Sequence, residues 1–152
     1  MTTPCDRLHI REARAEDCEA LTALMLRSRA YDGCYRRIIE KYPVTPEMTA
    51  KGEVWVFESG RSLLGFYRLD RQRADLDLMF VDDAVQGTGL GRAIFNHMKA
   101  FAAENGLREV EIVAHPPAAD FYRRMGAVDI GTSKAKSPDG WDRPILRLTI
   151  DK

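Results

Sequence analysis

Several short stretches of this chain are rich in apolar residues, and short apolar runs bounded by turns are typical of strands. Turn-forming residues separate these stretches, so each one is predicted to be a separate strand. The predicted strands are Leu8–Arg11, Glu53–Glu58, Leu63–Leu69, Ala74–Val81, Val110–Ala114, Val128–Gly131 and Ile145–Ile150. The second, third and fourth strands follow one another through short turns, which predicts a meander.

Other stretches repeat their apolar residues every three to four positions, which is the period of a helix with one buried face. The most regular of these follows Val81, and its apolar stripe contains Leu90, Ile94, Met98 and Phe101. An Asn-Gly pair ends this helix in the usual way. Further helices are predicted over residues 16–28, 30–42 and 116–125.

The order of these elements predicts an α/β (α+β) fold, in which a mixed central sheet of about six to seven strands is flanked by helices. The strand, loop, helix and strand between residues 74 and 114 read as a crossover between parallel strands, which should be right-handed. No repeat, linker or internal boundary is visible, and residues 1–152 therefore read as a single domain.

The composition excludes several classes of protein. Of the 152 residues, 45% are hydrophobic, and 23 basic residues balance 23 acidic ones. A nucleic-acid-binding protein normally carries a basic excess, so no nucleic-acid partner is expected. No apolar run reaches about 18 residues and no signal-peptide core is present, so we expect no membrane span and a cytoplasmic location.

The cysteines and histidines do not suggest a metal site or a disulfide framework. The three cysteines are an odd number at unrelated spacings, and the three histidines are scattered. These features fit a reduced cytosolic protein and predict no bound metal. The residues concerned are Cys5, Cys18, Cys34, His9, His97 and His115.

The most informative segment is Val81–Arg92, which reads V-D-D-A-V-Q-G-T-G-L-G-R. Its glycines, Gly87, Gly89 and Gly91, follow a predicted strand and precede the most regular helix. Glycine lets backbone N–H groups come close to a ligand, and the positive end of the following helix points to the same place. The segment therefore predicts a loop that binds a phosphorylated cofactor, with a simple helix-capping turn as the alternative.

Two common phosphate loops do not match this spacing. Counted from Gly87, both the dinucleotide pattern and the P-loop pattern require a glycine at the position of Arg92. The remaining pattern is Q-x-x-G-x-G, formed by Gln86, Gly89 and Gly91. It resembles the acyl-coenzyme A loop of the GNAT N-acetyltransferase superfamily.

A second segment, His115–Ala127, also resembles this superfamily. The usual pattern is Asn-Pro, a small residue, Phe-Tyr and a following Gly, and His115 stands where Asn is usual. The matching residues are Pro116, Ala118, Phe121, Tyr122 and Gly126. The resemblance covers nearly the whole chain and implies the GNAT fold, with the sheet splayed at the strand before the glycine loop.

The resemblance also implies acetyl-CoA as the cofactor. The loop amides would bind its pyrophosphate, the preceding strand end would pair with its pantetheine arm, and an N–H near Phe80 would polarise the thioester oxygen. The implied cofactor-binding residues are Met79, Phe80, Val81, Gln86, Gly87, Thr88, Gly89, Leu90, Gly91, Arg92, His115 and Tyr122. Arg123 and Arg124 are further candidates for phosphate contacts.

Tyr122 is the candidate general acid, because the matching tyrosine of many relatives lies beside the cofactor sulfur and a phenol of pKa about 10 can protonate a thiolate. Its alternative role is packing on an apolar helix face. Asp75 and Asp77 share one face of their strand, where carboxylates can attract a cationic amine and accept its proton, with a solvent-facing surface as the alternative role. Asp77 is the first choice for the base. His115 is the second choice. Since no cysteine is near either motif, direct attack is the simpler mechanism.

These features predict an acetyl-CoA-dependent N-acetyltransferase that acts on a primary amine of a small molecule or a protein by direct attack. A catalytically silent acyl-CoA-binding sensor is the main alternative, and an interaction protein without cofactor is a second one. Acceptor selection is expected around Ser28–Tyr42 and Thr132–Arg143, where Tyr31, Tyr35 and Trp141 are candidates. A homodimer is compatible with the resemblance.

Overall fold

The computed structural model describes residues 8–28, 42–135 and 141–150. The strands are β1 (Leu8–Glu12), β2 (Val54–Ser59), β3 (Ser62–Asp70), β4 (Asp75–Val81), β5 (Glu109–Val113), β6 (Val128–Ser133) and β7 (Arg143–Thr149). The helices are α1 (Cys18–Leu26), α2 (Pro46–Ala50), α3 (Leu90–Glu104) and α4 (Ala119–Arg124). Short 3₁₀ turns occur at Ala15–Asp17, Asp83–Val85 and Pro116–Ala118.

The strands form one seven-stranded sheet in the order β1-β2-β3-β4-β5-β7-β6. The pairs β1·β2, β2·β3, β5·β7 and β6·β7 are antiparallel, whereas β4·β5 is parallel. The predicted mixed sheet flanked by helices is therefore confirmed. Within the described residues of β4 and β5, one pair lies in register, Asp75 with Glu111. Pairing over so short a length agrees with the predicted splay.

The chain divides into two compact units, and each has its own buried residues. The first consists of Met1–Arg68 and Leu78–Ile94, and the second of Leu69–Asp77 and Phe95–Lys152. The sequence-based expectation of a single domain stays a prediction.

The core of the first unit joins helix α1 to strands β2, β3 and β4. Alternating residues of β2 and β4 belong to this core, as the period of two requires, and β3 contributes Phe66. The buried apolar residues of this core include Leu21, Leu24, Met25, Val54, Val56, Phe66, Leu78 and Phe80.

Gly65 of β3 is needed for a close approach within the first unit. A Cβ atom at this position would lie 2.7 Å from the Phe80 carbonyl oxygen and 2.8 Å from Cδ1 of Ile94. Real Cβ atoms essentially never come so close, so only glycine allows β3 to pass both β4 and the start of α3 at this distance.

In the second unit, the antiparallel pair β5·β7 places apolar residues opposite one another. Val110 pairs with Leu148 and Ile112 with Leu146, and all four side chains are buried. Apolar side chains matched across two strands in this way stabilise the pair.

Helix α2 differs from the sequence prediction. No helix is predicted between residues 43 and 52, whereas Pro46 occupies the first turn of α2. Proline is tolerated there because the N–H that it lacks has no partner inside a helix. The helix predicted over residues 30–42 lies, except for Tyr42, outside the described residues, as do Tyr31, Cys34 and Tyr35.

Candidate functional site

Strand β4 leads into the glycine loop and alternates between a buried and a half-exposed face. Phe80 lies on the buried face, where its ring stacks on Phe66 with 5.7 Å between ring centroids. Met79 and Val81 lie on the half-exposed face. Since the Phe80 side chain is used for packing, only its backbone is suited to the predicted contact with a cofactor.

Asp82 follows β4 and connects the beginning of the loop to its surroundings. Its backbone N–H donates to the Leu64 carbonyl oxygen at 2.7 Å. Its Oδ1 accepts a hydrogen bond from the Ala84 N–H at 2.9 Å, and its Oδ2 accepts one from Nη2 of Arg27, also at 2.9 Å. The bond from Ala84 and then that from Arg27 lower the pKa of Asp82, so its carboxylate is charged at neutral pH.

The loop itself is exposed and its conformation requires glycine. The φ angles of Gly87 and Gly89 are +79° and +89°, and a Cβ at either position would meet nothing within 4 Å. Two side chains of the loop donate to its own backbone. Nε2 of Gln86 donates to the Val81 carbonyl oxygen at 3.2 Å, and Oγ1 of Thr88 donates to the Val85 carbonyl oxygen at 2.6 Å. The space outside the glycines is therefore open to a ligand.

Helix α3 begins directly after this open space. Its first helical hydrogen bond runs from the Ala93 N–H to the Gly89 carbonyl oxygen at 3.1 Å. The N–H groups of Leu90, Gly91 and Arg92 consequently have no acceptor within the helix. All residues of α3 are described, and its first turn contains no acidic side chain, while the Arg92 side chain is exposed. This set of N–H donors, with open space before it, fits the pyrophosphate of acetyl-CoA.

Tyr122 lies in the second unit, within a cluster of aromatic rings. It is 8% exposed, and its ring centroid is 5.5 Å from that of Phe121 and 6.1 Å from that of Phe95. This environment supports the packing role, and it also holds the phenol in one place, which a general acid needs.

His115 belongs to the same unit and is buried. It precedes the 3₁₀ turn, and its carbonyl oxygen accepts a hydrogen bond from the Ala118 N–H at 2.8 Å. The backbone of His115 therefore has a structural role, while its predicted contact with the cofactor stays a prediction.

Asp75 and Asp77 lie on the half-exposed face of β4, and the structure distinguishes them. The pKa of the Asp75 carboxyl is raised to about 6. Burial is the largest cause, and the negative charges of Asp77 and Glu111 add to it. Glu111 is close because β4 and β5 pair at this position, where its N–H donates to the Ala74 carbonyl oxygen at 2.8 Å. A carboxylate with a pKa near neutrality is suited to proton transfer.

The predicted site residues thus belong to two groups. The first unit contains the strand end and the glycine loop, and the second contains the candidate bases and the candidate acid. The first group is Met79, Phe80, Val81, Gln86, Gly87, Thr88, Gly89, Leu90, Gly91 and Arg92. The second group is Asp75, Asp77, His115 and Tyr122.

Two features of the site have no clear signal in the sequence. The raised pKa of Asp75 depends first on burial and then on the charges of Asp77 and Glu111, and the proximity of Glu111 follows from strand pairing. The ion pair of Asp82 with Arg27 joins the loop to the end of α1, and the sequence offers only a charged residue at each of these positions.

Arg123 is a candidate for phosphate contacts from the sequence, but its guanidinium is engaged elsewhere on the surface. Its Nε donates to Oδ1 of Asp129 at 2.8 Å, and its Nη1 donates to Oδ1 of Asp120 at 2.7 Å. A phosphate contact would have to compete with these two ion pairs, so Arg92 is the better candidate of the two.

The described part of the chain contains no helix that is long and apolar enough to cross a membrane. Among the same residues, no group of three or more His, Cys, Asp or Glu side chains is arranged to hold a metal ion.

Comparisons of the sequence give relatives of one kind. The family described as "Acetyltransferase (GNAT) domain" matches residues 18–137. An uncharacterised N-acetyltransferase of Methanocaldococcus jannaschii is 32% identical over 81 residues, which are 51% of this chain and only 34% of that protein. The peptidyl-lysine N-acetyltransferase YjaB of Escherichia coli is 28% identical over 147 residues, covering 93% of this chain and 95% of that protein.

Solved structures have the same fold. The solution structure of apo YjaB is 25% identical with a TM-score of 0.64, and the match covers 94% of this chain and 97% of that one. The acetyltransferase YncA of Salmonella typhimurium, solved with acetyl-CoA, is 18% identical with a TM-score of 0.68 and coverage of 96% and 95%. The predicted fold and enzyme class are thereby confirmed, and the cofactor is confirmed for the family. The chain belongs to the GNAT acetyltransferase family, whose members are N-acetyltransferases that use acetyl-CoA.

Proposed function

We propose that this chain transfers an acetyl group from acetyl-CoA to a primary amine of a small molecule or a protein by direct attack, and that it does so in the cytoplasm. The observation that carries the proposal is the loop between β4 and α3. In this loop, Gly87 and Gly89 have positive φ angles and open space, and the first N–H groups of α3 lack helical acceptors.

The residues that would hold the cofactor follow from this loop. The backbone from Gln86 to Arg92 is proposed to bind the pyrophosphate, and the exposed Arg92 guanidinium adds a charge-assisted contact. The backbone of Met79–Val81 is proposed to bind the pantetheine arm. Contacts of the same cofactor with His115 and Tyr122 are part of the proposal.

Acetyl-CoA supplies an acetyl group that is activated as a thioester. The chain is proposed to direct a backbone N–H near Phe80 at the carbonyl oxygen, a type of contact whose loss costs about 3 kcal/mol in other enzymes. The Tyr122 hydroxyl is proposed to hold the proton that the departing thiolate sulfur needs.

A carboxylate of the Asp75 and Asp77 pair is proposed to take the proton of the acceptor ammonium. Asp77 is the first choice from the sequence, but the pKa of Asp75, raised to about 6, is closer to that of an amine than an ordinary carboxyl would be. We therefore propose Asp75 as the base that takes this proton, and we propose that the negative charge of Asp77 contributes to the raised pKa of Asp75.

The name of YjaB, a peptidyl-lysine N-acetyltransferase, supports a lysine side chain of a protein as one class of acceptor. Small primary amines are the other class. A lysine-containing peptide, the same peptide with arginine in place of lysine, and a linear diamine distinguish these classes, because the arginine peptide keeps the charge and lacks the amine.

The burial of Tyr122 among aromatic rings favours one alternative, a sensor that binds acyl-CoA without turnover. Calorimetry with acetyl-CoA tests binding, and release of free thiol with the acceptor panel tests turnover. Binding with amine-dependent thiol release supports the enzyme, and binding with no release from any acceptor supports the sensor. Absence of binding contradicts both.

A further inference from the structure

At the start of the glycine loop, Asp82 forms hydrogen bonds with three other parts of the first unit. Its N–H is bonded to Leu64 of β3, and its carboxylate receives the Ala84 N–H of the following 3₁₀ turn and the guanidinium of Arg27. Its carbonyl oxygen accepts the N–H of Val85 at 3.0 Å. These contacts determine the direction in which the chain leaves β4.

The charge of Asp82 is unexpected so close in sequence to a loop that would bind an anion. A carboxylate there would repel a pyrophosphate unless a cation compensated it. Arg27 supplies that cation at the end of α1, and its side chain is 52% exposed whereas that of Asp82 is 23% exposed. The pair is therefore placed to orient the carboxylate and to reduce its repulsion.

We propose that Asp82, held by Arg27, is a positioning residue that sets the glycine loop in the conformation that binds the cofactor pyrophosphate. The inference depends on the proposed function for the identity of the ligand. Asp82 acts through the backbone of the turn at Asp83–Val85 and has no contact with the ligand in this scheme. A loop held in its binding conformation loses less conformational freedom when the ligand arrives, which raises affinity.

The test uses coenzyme A as the probe, with four single variants and one double variant of the full chain. Asp82→Ala removes both the cap and the ion pair, whereas Asp82→Ser keeps an oxygen that can cap the turn and removes only the ion pair. Arg27→Gln leaves the carboxylate uncompensated. Glu16→Ser is the matched control, because it removes a different exposed ion pair, with Arg14, in the same unit.

Calorimetry should show that Asp82→Ala raises the Kd for coenzyme A about tenfold and Asp82→Ser about threefold, from the usual strengths of a cap and an ion pair. Arg27→Gln should raise the Kd, and adding Asp82→Ser to it should produce no further loss, because the same pair is already broken. Without ligand, amide hydrogen exchange over residues 84–92 should accelerate in Asp82→Ala and remain unchanged in Glu16→Ser.

The proposal is overturned when Asp82→Ala binds coenzyme A as the parent does and shows the parental rate of hydrogen exchange in the loop. If Asp82→Ala does not fold, the same two results for Asp82→Ser and Arg27→Gln overturn it. Equal loss of affinity in Glu16→Ser also overturns it, since the effect would then be general. If the parent itself does not bind coenzyme A, the proposed function fails, while the exchange rates still decide whether Asp82 positions the loop.

Discussion

Replacement of Asp75 with asparagine tests the proposed base and its electrostatic environment together. Asparagine has nearly the same shape and cannot ionise, so the change isolates the charge. In the parent, the pKa of Asp75 is raised from 3.8 to about 6, first by burial and then by the neighbouring charges of Asp77 and Glu111. Two consequences follow, one for stability and one for catalysis.

The stability effect depends on pH in a defined direction. The pKa of Asp75 is higher in the folded than in the unfolded chain, so the folded state binds this proton more tightly. The free energy of unfolding therefore falls as pH rises from about 4 to about 6. Above that range the charged carboxylate destabilises the parent. Since Asp75 is only half-buried, solvent screening reduces the effect, and we expect Asp75→Asn to be more stable by about 1 kcal/mol at pH 7.5.

The catalytic effect has the opposite sign. A base must be deprotonated, so kcat/KM of the parent should rise with pH through an apparent pKa near 6. Asp75→Asn should lose this limb and lower kcat/KM by about 10²-fold or more at pH 7.5. Urea unfolding at pH 4 and pH 7.5 and a pH profile of kcat/KM with one acceptor provide the two measurements.

Asp77→Asn is the matched control on the same strand face. It removes one of the negative charges near Asp75, so the limb should persist and move to lower pH. Loss of the limb in Asp77→Asn with its retention in Asp75→Asn would return the role of base to Asp77. A parental pH profile in both variants would refute the whole electrostatic argument.

Three further predictions concern the loop, the acid and the strand crossing. Gly89→Val should reduce the affinity for coenzyme A more than tenfold in calorimetry. Gly60→Val is the control, because it strains a hairpin glycine of similar φ (+60°) and should reduce only stability. Equal affinities of the two variants would contradict the role of the loop in cofactor binding. Tyr122→Phe should lower kcat about 10²-fold, well beyond any change in the Kd for coenzyme A, and parental turnover would leave Tyr122 with packing alone. Gly65→Ala should cost about 2 kcal/mol in urea unfolding, because its Cβ would lie 2.7 Å from the Phe80 carbonyl oxygen, and a parental midpoint would contradict the close approach.

Several elements could be predicted because their signals are local. Short apolar stretches between turns identify all seven strands, and the apolar period identifies helix α3. The spacing of Gln86, Gly89 and Gly91 indicates the cofactor loop. Both signals are carried by neighbouring residues, whose backbone and burial preferences act over one element. Helix α2 is missed for the same reason, because a proline signals both the end of one helix and the first turn of another.

By itself, then, the sequence determined the seven strands and helix α3, the family and the loop that follows β4. Only the tertiary structure decided which groups from separate elements meet: Glu111 beside Asp75, Arg27 on Asp82, and the carbonyl of Phe80 against Gly65. A raised pKa, an ion pair and a close backbone approach all depend on distances across space. Those distances are set by strand pairing and packing, which no local pattern of residues encodes.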